Sequence, residues 1–459
     1  MIPIFINREE ELRYLNKIHE EKGFSLTVIY GRRRIGKTEL IKKHIENKKN
    51  AYILMTDESI DENIKEIKQK FYELTGKEYF QKIETKNIPE LFKLLAEEAK
   101  KEKITIVIDE LPYLISLNKG ILSALQKTID EHLKNTSIKL ILCGSTLTIM
   151  ENDVLGYRSP LYGRNTNTWK LQPFSFKTIL STSKNPREAI EKYATLGNTP
   201  YYLNFHNPEI SIIENIKETM LTKGLRLYDE PLILLRQEFR ESRTYRLILK
   251  YLAQGYNSIG KLCSSTGIDK SNLTKYLSTL EETGLIKHVI PLGMKRKGNY
   301  YITDPFFNFW LKYIYPDRGK LELGNQEQTT KKIQRNLNAH LGKMFEQIIE
   351  EMLSRQQVPE LKKYSTTRNW WHKDKEIDIV ALNEETKEIL FAECKWQEGV
   401  DAQKTMQELY EKAGYVEWNK EDRKEEYALY AKTFTRKISS YKGKKTNCYD
   451  LKDIEKALR

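Results

Sequence analysis

The sequence predicts an α/β protein of several domains, built around a phosphate-binding loop. Three observations support this prediction: a glycine-rich segment after a strand-like run, the alternation of strand-like and helical segments, and the length of the chain. A glycine-rich segment, Gly31–Thr38, follows an apolar run, Leu26–Tyr30, with the composition of a buried strand. Further apolar runs of strand length then alternate with segments of helical periodicity, which is typical of a parallel sheet covered by helices. The chain has 459 residues, whereas a single domain usually has about 150.

The segment Gly31–Thr38 fits the pattern G-x-x-x-x-G-K-[ST] and predicts a nucleotide site. Gly31 and Gly36 permit backbone angles that turn successive N–H groups toward phosphate oxygens. We expect Lys37 to reach the β- and γ-phosphates and the Thr38 hydroxyl to hold Mg²⁺. The alternative is a glycine-punctuated turn, but the order of strand, loop and helix favours phosphate binding. ATP and Mg²⁺ are therefore the expected cofactors.

Two carboxylates follow a later β-branched run, Ile104–Glu110. The carboxyl ends of parallel strands meet at the sheet edge where ligands bind in open α/β folds. We expect Asp109 to contact Mg²⁺ and Glu110 to act as the catalytic residue that polarises the attacking water. The next strand, Ile138–Ser145, ends in Ser145, which is either a sensor of the γ-phosphate or part of a Gly-Ser turn.

The predicted nucleotide core covers residues 1–170, and residues 171–237, helical in pattern, predict a small lid on that core. Arg164 lies in a turn near the end of the core. It is expected to contact the phosphates and stabilise transition-state charge, with a surface arginine as an equal alternative. A helix beginning near Asn7 is expected either close to the base of the nucleotide or in a scaffolding role.

Residues 238–318 predict a winged helix-turn-helix. Three helical segments and a strand pair carry this prediction: Tyr245–Leu252, Ser258–Ser264, Ser271–Leu280, Leu285–Ile290 and Asn299–Thr303. The expected nucleic-acid contacts are on the third helix and at the basic tip of the wing: Ser271, Asn272, Lys275, Lys295, Arg296 and Lys297. A packing or dimerisation module is the alternative. The polar stretch Gly319–Lys332 is typical of a linker.

The last predicted domain, residues 330–459, contains a strand hairpin with two carboxylates and a lysine. If the six residues after Leu382 form its loop, Leu382 lies opposite Ile389, and counting back places Asp378 opposite Glu393. Lys395 then lies on the same face. Carboxylates this close repel unless a cation lies between them, so Asp378 and Glu393 are expected to hold Mg²⁺. A surface hairpin with ordinary charge alternation is the alternative.

These segments resemble the archaeal ATPase family, which pairs a P-loop core of the ASCE, AAA+-like or STAND type with a C-terminal restriction-endonuclease-like domain. The resemblance rests on five pieces: Gly31–Thr38, Ile106–Glu110, Ser271–Ile286, Tyr301–Trp310 and the hairpin with Glu393–Trp396. It implies a PD-(D/E)XK nuclease in which Asp378, Glu393 and Lys395 are catalytic and Glu346 matches the acid on a preceding helix. Such domains also persist as binding modules.

Composition favours a nucleic-acid partner. The chain has 77 Lys and Arg residues against 64 Asp and Glu, a net charge of +13, so a polyanion such as DNA is expected, with a solvated lysine-rich surface as the alternative. Four cysteines without C-x-x-C spacing indicate neither a disulfide framework nor a zinc module, and favour a reducing, cytoplasmic location. No apolar run approaches the ~18 residues of a membrane span. The sequence is compatible with a homo-oligomer without giving the oligomeric state.

Two functions therefore follow from the sequence. The first is an ATP-hydrolysing protein that binds DNA and cleaves nucleic acid with its metal-dependent C-terminal domain. The second is a nucleotide-switched DNA-binding regulator or scaffold whose nuclease-like domain does not cleave. Metal binding by the C-terminal domain distinguishes them, because a binding module has no need of a metal.

Overall fold

The computed structural model describes residues 6–85, 87–99, 102–164, 167–294, 296–364 and 366–459. The chain divides into two units, Met1–Pro173 and Phe174–Arg459. Residues 174–237, most of the predicted lid at 171–237, belong to the second unit. Among the helices of these described ranges, none combines the length and the apolar character needed to cross a bilayer.

A five-stranded parallel sheet forms the centre of the first unit. Its strands are β1 (Ser25–Tyr30), β2 (Asn50–Leu54), β3 (Thr105–Asp109), β4 (Lys139–Gly144) and β5 (Asn167–Lys170). Their order is β2-β3-β4-β1-β5. β1, β3 and β4 are buried along their whole length, as expected for parallel strands covered by helices on both faces.

The described residues of this unit also form the helices α1 (Glu9–Glu20), α2 (Lys37–Ile45), α3 (Ile60–Thr75), α4 (Tyr79–Lys82), α5 (Ile88–Glu98), α6 (Leu111–Leu117), α7 (Ile121–Thr128) and α8 (Leu147–Ile149). The turns Ile129–Leu133 and Met150–Val154 are π-helical. Neighbouring residues of β1 enter different cores. Val28 packs with α3, α5, α6 and α7, whereas Ile29 packs with α1 and α2. This alternation follows from the two-residue period of a strand.

The second unit begins with five helices, α9 (Phe176–Ser181), α10 (Pro186–Leu196), α11 (Pro200–Leu203), α12 (Ile212–Ile216) and α13 (Glu230–Glu238), and a π-helical turn, Lys217–Leu221. The winged module follows, with α14 (Ser242–Ala253), α15 (Ile259–Thr266), α16 (Lys270–Glu282), β6 (Ile286–Val289) and β7 (Asn299–Ile302). β6 and β7 pair antiparallel, with Ile286 opposite Ile302. The helix-turn-helix and its strand pair are therefore confirmed.

A long helix replaces the predicted linker. After α17 (Pro305–Phe309), the helical turns Trp310–Ile314 and Tyr315–Asp317, and α18 (Arg318–Glu322), helix α19 runs from Gln326 to Ser354. The prediction of a linker over Gly319–Lys332 is wrong. Its physical reason is tertiary packing, because Thr329, Thr330 and Ile333 are buried although the stretch is polar in composition.

A six-stranded mixed sheet closes the second unit. Its strands are β8 (Thr366–His372), β9 (Lys375–Asn383), β10 (Glu388–Lys395), β12 (Lys424–Ala431), β14 (Ser440–Tyr441) and β15 (Lys444–Tyr449). Their order is β14-β15-β12-β10-β9-β8. β11 (Val400–Asp401) pairs with β13 (Phe434–Arg436), and α20 (Ala402–Ala413) and α21 (Leu451–Leu458) complete the domain. A single 3₁₀ turn, Pro359–Leu361, precedes the sheet.

The hairpin register agrees with the count made from the sequence. Leu382 pairs with Ile389 and Ile379 with Ala392, which places Asp378 beside the Glu393–Cys394 end of β10. One face of the sheet packs against α19 and α21, and the other packs against α20. The restriction-endonuclease-like fold of this domain stays a prediction.

Candidate functional site

The loop between β1 and α2 has the backbone geometry that its glycines predict. A Cβ atom on Gly31 would lie 2.5 Å from the Leu171 carbonyl oxygen and 2.5 Å from Ile35 Cδ1, so no side chain fits there. Gly36, which precedes α2, has φ 88° and lies in the left-handed region that favours glycine. Close packing at one glycine and a left-handed angle at the other therefore fix the course of the loop.

Lys37 is enclosed by this loop. Its ammonium donates to the carbonyl oxygens of Gly31, at 2.9 Å, and Arg32, at 2.8 Å. The residue is 6% exposed, and burial lowers the pKa of its ammonium. The loop thus holds a cation beside the first turn of α2, where a helix favours an anion.

Thr38 and Asp109 meet across the sheet edge. The Thr38 hydroxyl donates to Asp109 Oδ2 at 2.9 Å. Asp109 is 1% exposed, and its Oδ1 accepts the Glu110 backbone N–H at 2.9 Å. A hydroxyl and a carboxylate are oxygen ligands of the type that Mg²⁺ takes in nucleotide sites. The residues present therefore fit a magnesium ion.

Tyr52, which the sequence analysis missed, joins this pair. Its hydroxyl donates to Asp109 Oδ2, and burial together with this carboxylate raises the pKa of Tyr52. Tyr52 lies on β2, next to the strand that carries Asp109. A tyrosine inside an otherwise apolar strand is the feature of the sequence that could have indicated Tyr52. The sequence does not show, however, that this strand lies next to the one that carries Asp109.

Glu110 and Ser145 form a second contact at the same edge. Glu110 Oε2 accepts from the Ser145 hydroxyl at 2.8 Å and from its backbone N–H at 3.3 Å. Glu110 has φ 55°, an uncommon angle for a residue other than glycine, and such angles cluster at functional sites. The sequence-predicted base and sensor are therefore in direct contact.

Arg164 makes its contacts elsewhere. Its guanidinium binds Asp130 through Nη2 at 2.8 Å and Nε at 3.0 Å, and its Nη1 donates to the Pro160 carbonyl at 3.3 Å. Hydrogen bonds from Arg164 and Lys134 lower the pKa of Asp130 to about 2. Within the described residues no hydrogen bond or ion pair joins Arg164 to the phosphate loop. Its nucleotide contact stays a prediction that this geometry does not favour.

Arg8 is a further residue that the sequence analysis missed. It is buried ahead of α1, and its Nη2 donates to the Ile35 carbonyl at 3.0 Å and to the Gln172 carbonyl at 2.9 Å. Its Nη1 pairs with Glu11 at 2.8 Å. The start of the N-terminal helix therefore anchors the phosphate loop.

In the second unit, the hairpin brings Asp378, Glu393 and Lys395 together. Asp378 Oδ2 accepts the Cys394 backbone N–H at 2.8 Å, and Lys395 Nζ lies 2.7 Å from Glu393 Oε1. Burial and the Glu393 charge raise the pKa of Asp378 to about 6. Lys412, on α20, was missed: its ammonium donates to both Glu393 oxygens, at 3.0 and 3.1 Å.

Glu346 projects from α19 toward the same site. Its Oε2 pairs with Lys343 Nζ at 3.0 Å, and burial and the Asp378 charge raise the pKa of Glu346 to about 8. Among the residues that the structure describes, no group of three or more His, Cys, Asp or Glu is arranged to hold a metal ion. Because Lys395 and Lys412 both hold Glu393, a metal ion fits here only in place of one of these ammonium groups.

The predicted DNA contacts lie on the surface of the winged module. Ser271, Asn272 and Lys275 are exposed on α16, as are Arg296 and Lys297 at the wing. Lys295 lies outside the described residues. The Asn272 amide donates to Asp269 at 2.7 Å. This helix also borders a cavity of about 430 Å³ that includes the acidic side chains Glu238 and Glu241.

Comparison with known proteins supports the first unit and the helix-turn-helix. Residues 5–205 match an ATPase domain found predominantly in Archaea. Residues 243–288 match bacterial regulatory proteins of the arsR family, and residues 310–408 match archaeal and bacterial proteins of unknown function. An uncharacterized protein of Methanocaldococcus jannaschii is 34% identical over 98% of this chain and 100% of its own length.

The chain belongs to the family of this relative and carries an ATPase domain of a kind found predominantly in Archaea. An uncharacterized ATP-binding protein of Methanocaldococcus jannaschii is 54% identical over 10% of this chain and 81% of its own length. A Walker-type ATPase of Pyrococcus abyssi has a similar fold, with a TM-score of 0.52 and 23% identity over 67% of this chain and 96% of that one. The predicted α/β P-loop ATPase core and helix-turn-helix are thereby confirmed.

Proposed function

We propose that this protein binds and hydrolyses ATP with Mg²⁺ at the phosphate loop, and that its second unit binds DNA. The observation that carries the nucleotide site is the 2.9 Å contact between Thr38 and Asp109, residues from separate elements that meet beside the buried Lys37. Thr38 and Asp109 hold Mg²⁺, which when bound neutralises charge that develops on the phosphates. Lys37 neutralises β- and γ-phosphate oxygens.

Glu110 and Ser145 complete the hydrolytic role. Glu110 accepts a proton from, or polarises, the attacking water, and the Ser145 hydroxyl orients that carboxylate at 2.8 Å and senses the γ-phosphate. Both groups project from the edge that carries the loop, so the water lies between the carboxylate and the phosphate.

The test compares two site variants with one control. Lys37→Ala is expected to abolish tight ATP binding, because it removes the ammonium group that the Gly31 and Arg32 carbonyls hold inside the loop. Glu110→Gln is expected to keep binding and lose turnover. Lys43→Ala, an exposed lysine of α2 paired with Glu46, is the matched control. Wild-type nucleotide affinity in Lys37→Ala contradicts the assignment.

The DNA-binding proposal rests on surface exposure and charge. Ser271, Asn272 and Lys275 present polar groups on α16, and the wing adds Arg296 and Lys297. The net charge of +13 and the resemblance of this segment to bacterial regulators support a polyanionic partner. Lysine and arginine contacts position the duplex through its phosphates.

Phosphodiester cleavage by the C-terminal domain is the finer proposal. Its support is that Asp378, Glu393 and Lys395 lie close together at the end of the hairpin. Asp378 and Glu393 are its proposed metal ligands, Lys395 is the residue that orients the attacking water, and Glu346 adds a carboxylate from α19. This proposal requires Glu393 to exchange an ammonium partner for the cation.

The contact between Lys412 and Glu393 favours the second candidate, a nucleotide-switched regulator that binds without cleaving. Mn²⁺ affinity and cleavage of DNA and RNA distinguish the two. For a nuclease, Asp378→Ala removes metal binding by the C-terminal domain together with cleavage, whereas Lys395→Ala spares metal binding and removes cleavage. A wild-type protein that takes up metal only at the phosphate loop and cuts neither polymer, with or without ATP, is a regulator or scaffold.

A further inference from the structure

A cleft of about 410 Å³ lies in the second unit between the winged module and the C-terminal domain. One wall comes from the winged module and includes Asn257 and Tyr301. The facing wall comes from α19 and β9 and includes Glu346 and Asp378. Two carboxylates of the candidate cleavage site, Glu346 and Asp378, therefore face this cleft.

Direct contacts hold the winged module over these carboxylates. The Leu292 backbone N–H donates to the Asn369 carbonyl at 3.0 Å, and the Asn369 side chain donates to the Asp378 carbonyl at 2.8 Å. On the other side, Lys287 of β6 pairs with Glu350 of α19 at 2.9 Å. A substrate must enter between two walls that are tied at both sides.

The cleft presents charges of both signs, from the lysines Lys287, Lys312 and Lys343 and from the carboxylates Glu346, Glu350, Glu376 and Asp378. Lys312 and Lys343 both line it, and burial together with the charge of Lys343 lowers the pKa of Lys312. Lys343 is paired with Glu346. Within the described residues Lys312 makes no ion pair, and its ammonium lies 5.4 Å from the centre of the Tyr313 ring. Ammonium groups of this kind bind phosphate as point charges.

The dimensions of the cleft limit what it holds. Pockets for small ligands have volumes of about 300–1,000 Å³, so this cleft is near the lower end. Duplex recognition in contrast spreads over roughly 1,000–2,500 Å² of protein surface. A single unstacked nucleotide matches the space, and amide side chains such as Asn257 and Asn308 can hydrogen-bond a base edge.

We propose that this cleft binds one phosphorylated nucleotide unit, with its phosphate on Lys312 and its base toward the amide side chains of the winged module. The unit is either the end of a single strand or a free nucleotide, and a duplex is excluded. This inference rests on the proposed nucleic-acid function of the second unit, but it does not require cleavage.

The test measures binding without metal, so that no cleavage occurs. Fluorescence anisotropy in EDTA compares a short 5′-phosphorylated single strand with the matching blunt duplex, for the full chain and its variants. Lys312→Gln is expected to weaken single-strand binding about tenfold, the effect of losing one charge-assisted contact, and to leave duplex binding unchanged. Lys312→Arg, which keeps the charge, is expected to retain single-strand affinity.

Lys331→Gln is the matched control, because Lys331 is an exposed lysine of α19 that does not line the cleft. Unchanged ATP hydrolysis and melting temperature show that each variant is folded. If millimolar thymidine monophosphate displaces the strand, the cleft binds a free nucleotide. If strand binding requires the 5′-phosphate but thymidine monophosphate does not displace the strand, the cleft binds a strand end.

Wild-type single-strand affinity in Lys312→Gln, or equal weakening of strand and duplex, overturns the inference. This result is separable from failure of the proposed nuclease. If strand binding depends on Lys312 and no cleavage occurs in Mn²⁺, the proposed nuclease activity is refuted and the proposed role of the cleft stands. If a duplex is cleaved and Lys312→Gln does not change this cleavage, the proposed role of the cleft is refuted and the nuclease activity stands.

Discussion

Replacing Tyr52 by phenylalanine removes one hydrogen-bond donor from the buried Asp109 carboxylate. The Thr38 hydroxyl and the Glu110 N–H remain, each at 2.9 Å. A hydrogen bond to a charged group contributes about 1.5–3 kcal/mol, and the ring keeps its packing, so a loss of about 2 kcal/mol is expected. For a unit of this size, about 1 kcal/mol shifts the melting temperature by roughly 2–4 °C. Tyr52→Phe is therefore expected to lower it by about 4–8 °C.

The assay is differential scanning calorimetry of the full chain, following the transition that ADP shifts. Tyr72→Phe is the control, because Tyr72 is also a partly buried tyrosine of the first unit, packed against its other core, and its hydroxyl has no hydrogen bond within the described residues. Saturating Mg²⁺ and ADP bring a cation to Asp109, so the difference between wild type and Tyr52→Phe is expected to shrink. If Tyr52→Phe melts at the same temperature as Tyr72→Phe, the reasoning about Asp109 is refuted.

Three further predictions concern catalysis, DNA binding and pH. Ser145→Ala frees the Glu110 carboxylate from its hydroxyl partner, so steady-state assays are expected to show at least an approximately tenfold lower kcat with little change in nucleotide affinity. Replacing Arg296 and Lys297 by Ala is expected to reduce the slope of log affinity against log salt by about 2, because each phosphate contact contributes about 0.9. For Asp130, a folded pKa of about 2 means that its stabilising charge is present above its ordinary pKa and is lost as pH falls through about 2. The difference in melting temperature between wild type and Asp130→Asn is therefore expected to narrow below about pH 4.

Each of these predictions has an outcome that contradicts it. An unaltered kcat in Ser145→Ala shows that the serine neither orients the carboxylate nor senses phosphate. Affinity and salt slope equal to wild type in the double variant make the winged module a structural part. If the difference in melting temperature between wild type and Asp130→Asn is the same from pH 7 to pH 3, the Asp130 ion pair does not contribute to the loss of stability in acid.

The features that sequence reasoning predicts well are those set by neighbours along the chain. The phosphate loop needs only a strand, two glycines and a helix in succession. The hairpin register follows from counting residues around one short loop, and Leu382 does pair with Ile389. In both places the local pattern and the tertiary structure specify the same arrangement.

The residues that were missed come from distant elements. Arg8 reaches the phosphate loop from ahead of α1, and Lys412 reaches Glu393 from α20. Arg164 shows the converse, because its loop position suggests a free guanidinium while Asp130 on another element binds it. Such contacts depend on how helices and strands are placed in three dimensions, which charge and periodicity along one chain do not specify.

Helix α19 has a consequence for dissecting the protein by truncation. Its 29 residues span about 43 Å, with Ile333 in the core of the winged module and Phe345 in the core beneath the C-terminal sheet. A fragment starting at residue 330 would cut the first turn and expose the face that Ile333 buries. The winged module and the C-terminal sheet are therefore expected to stay folded or to unfold together, both in limited proteolysis and in truncated variants. A nuclease assay on the sheet alone would consequently test a polypeptide whose shared helix has lost half of its packing partners.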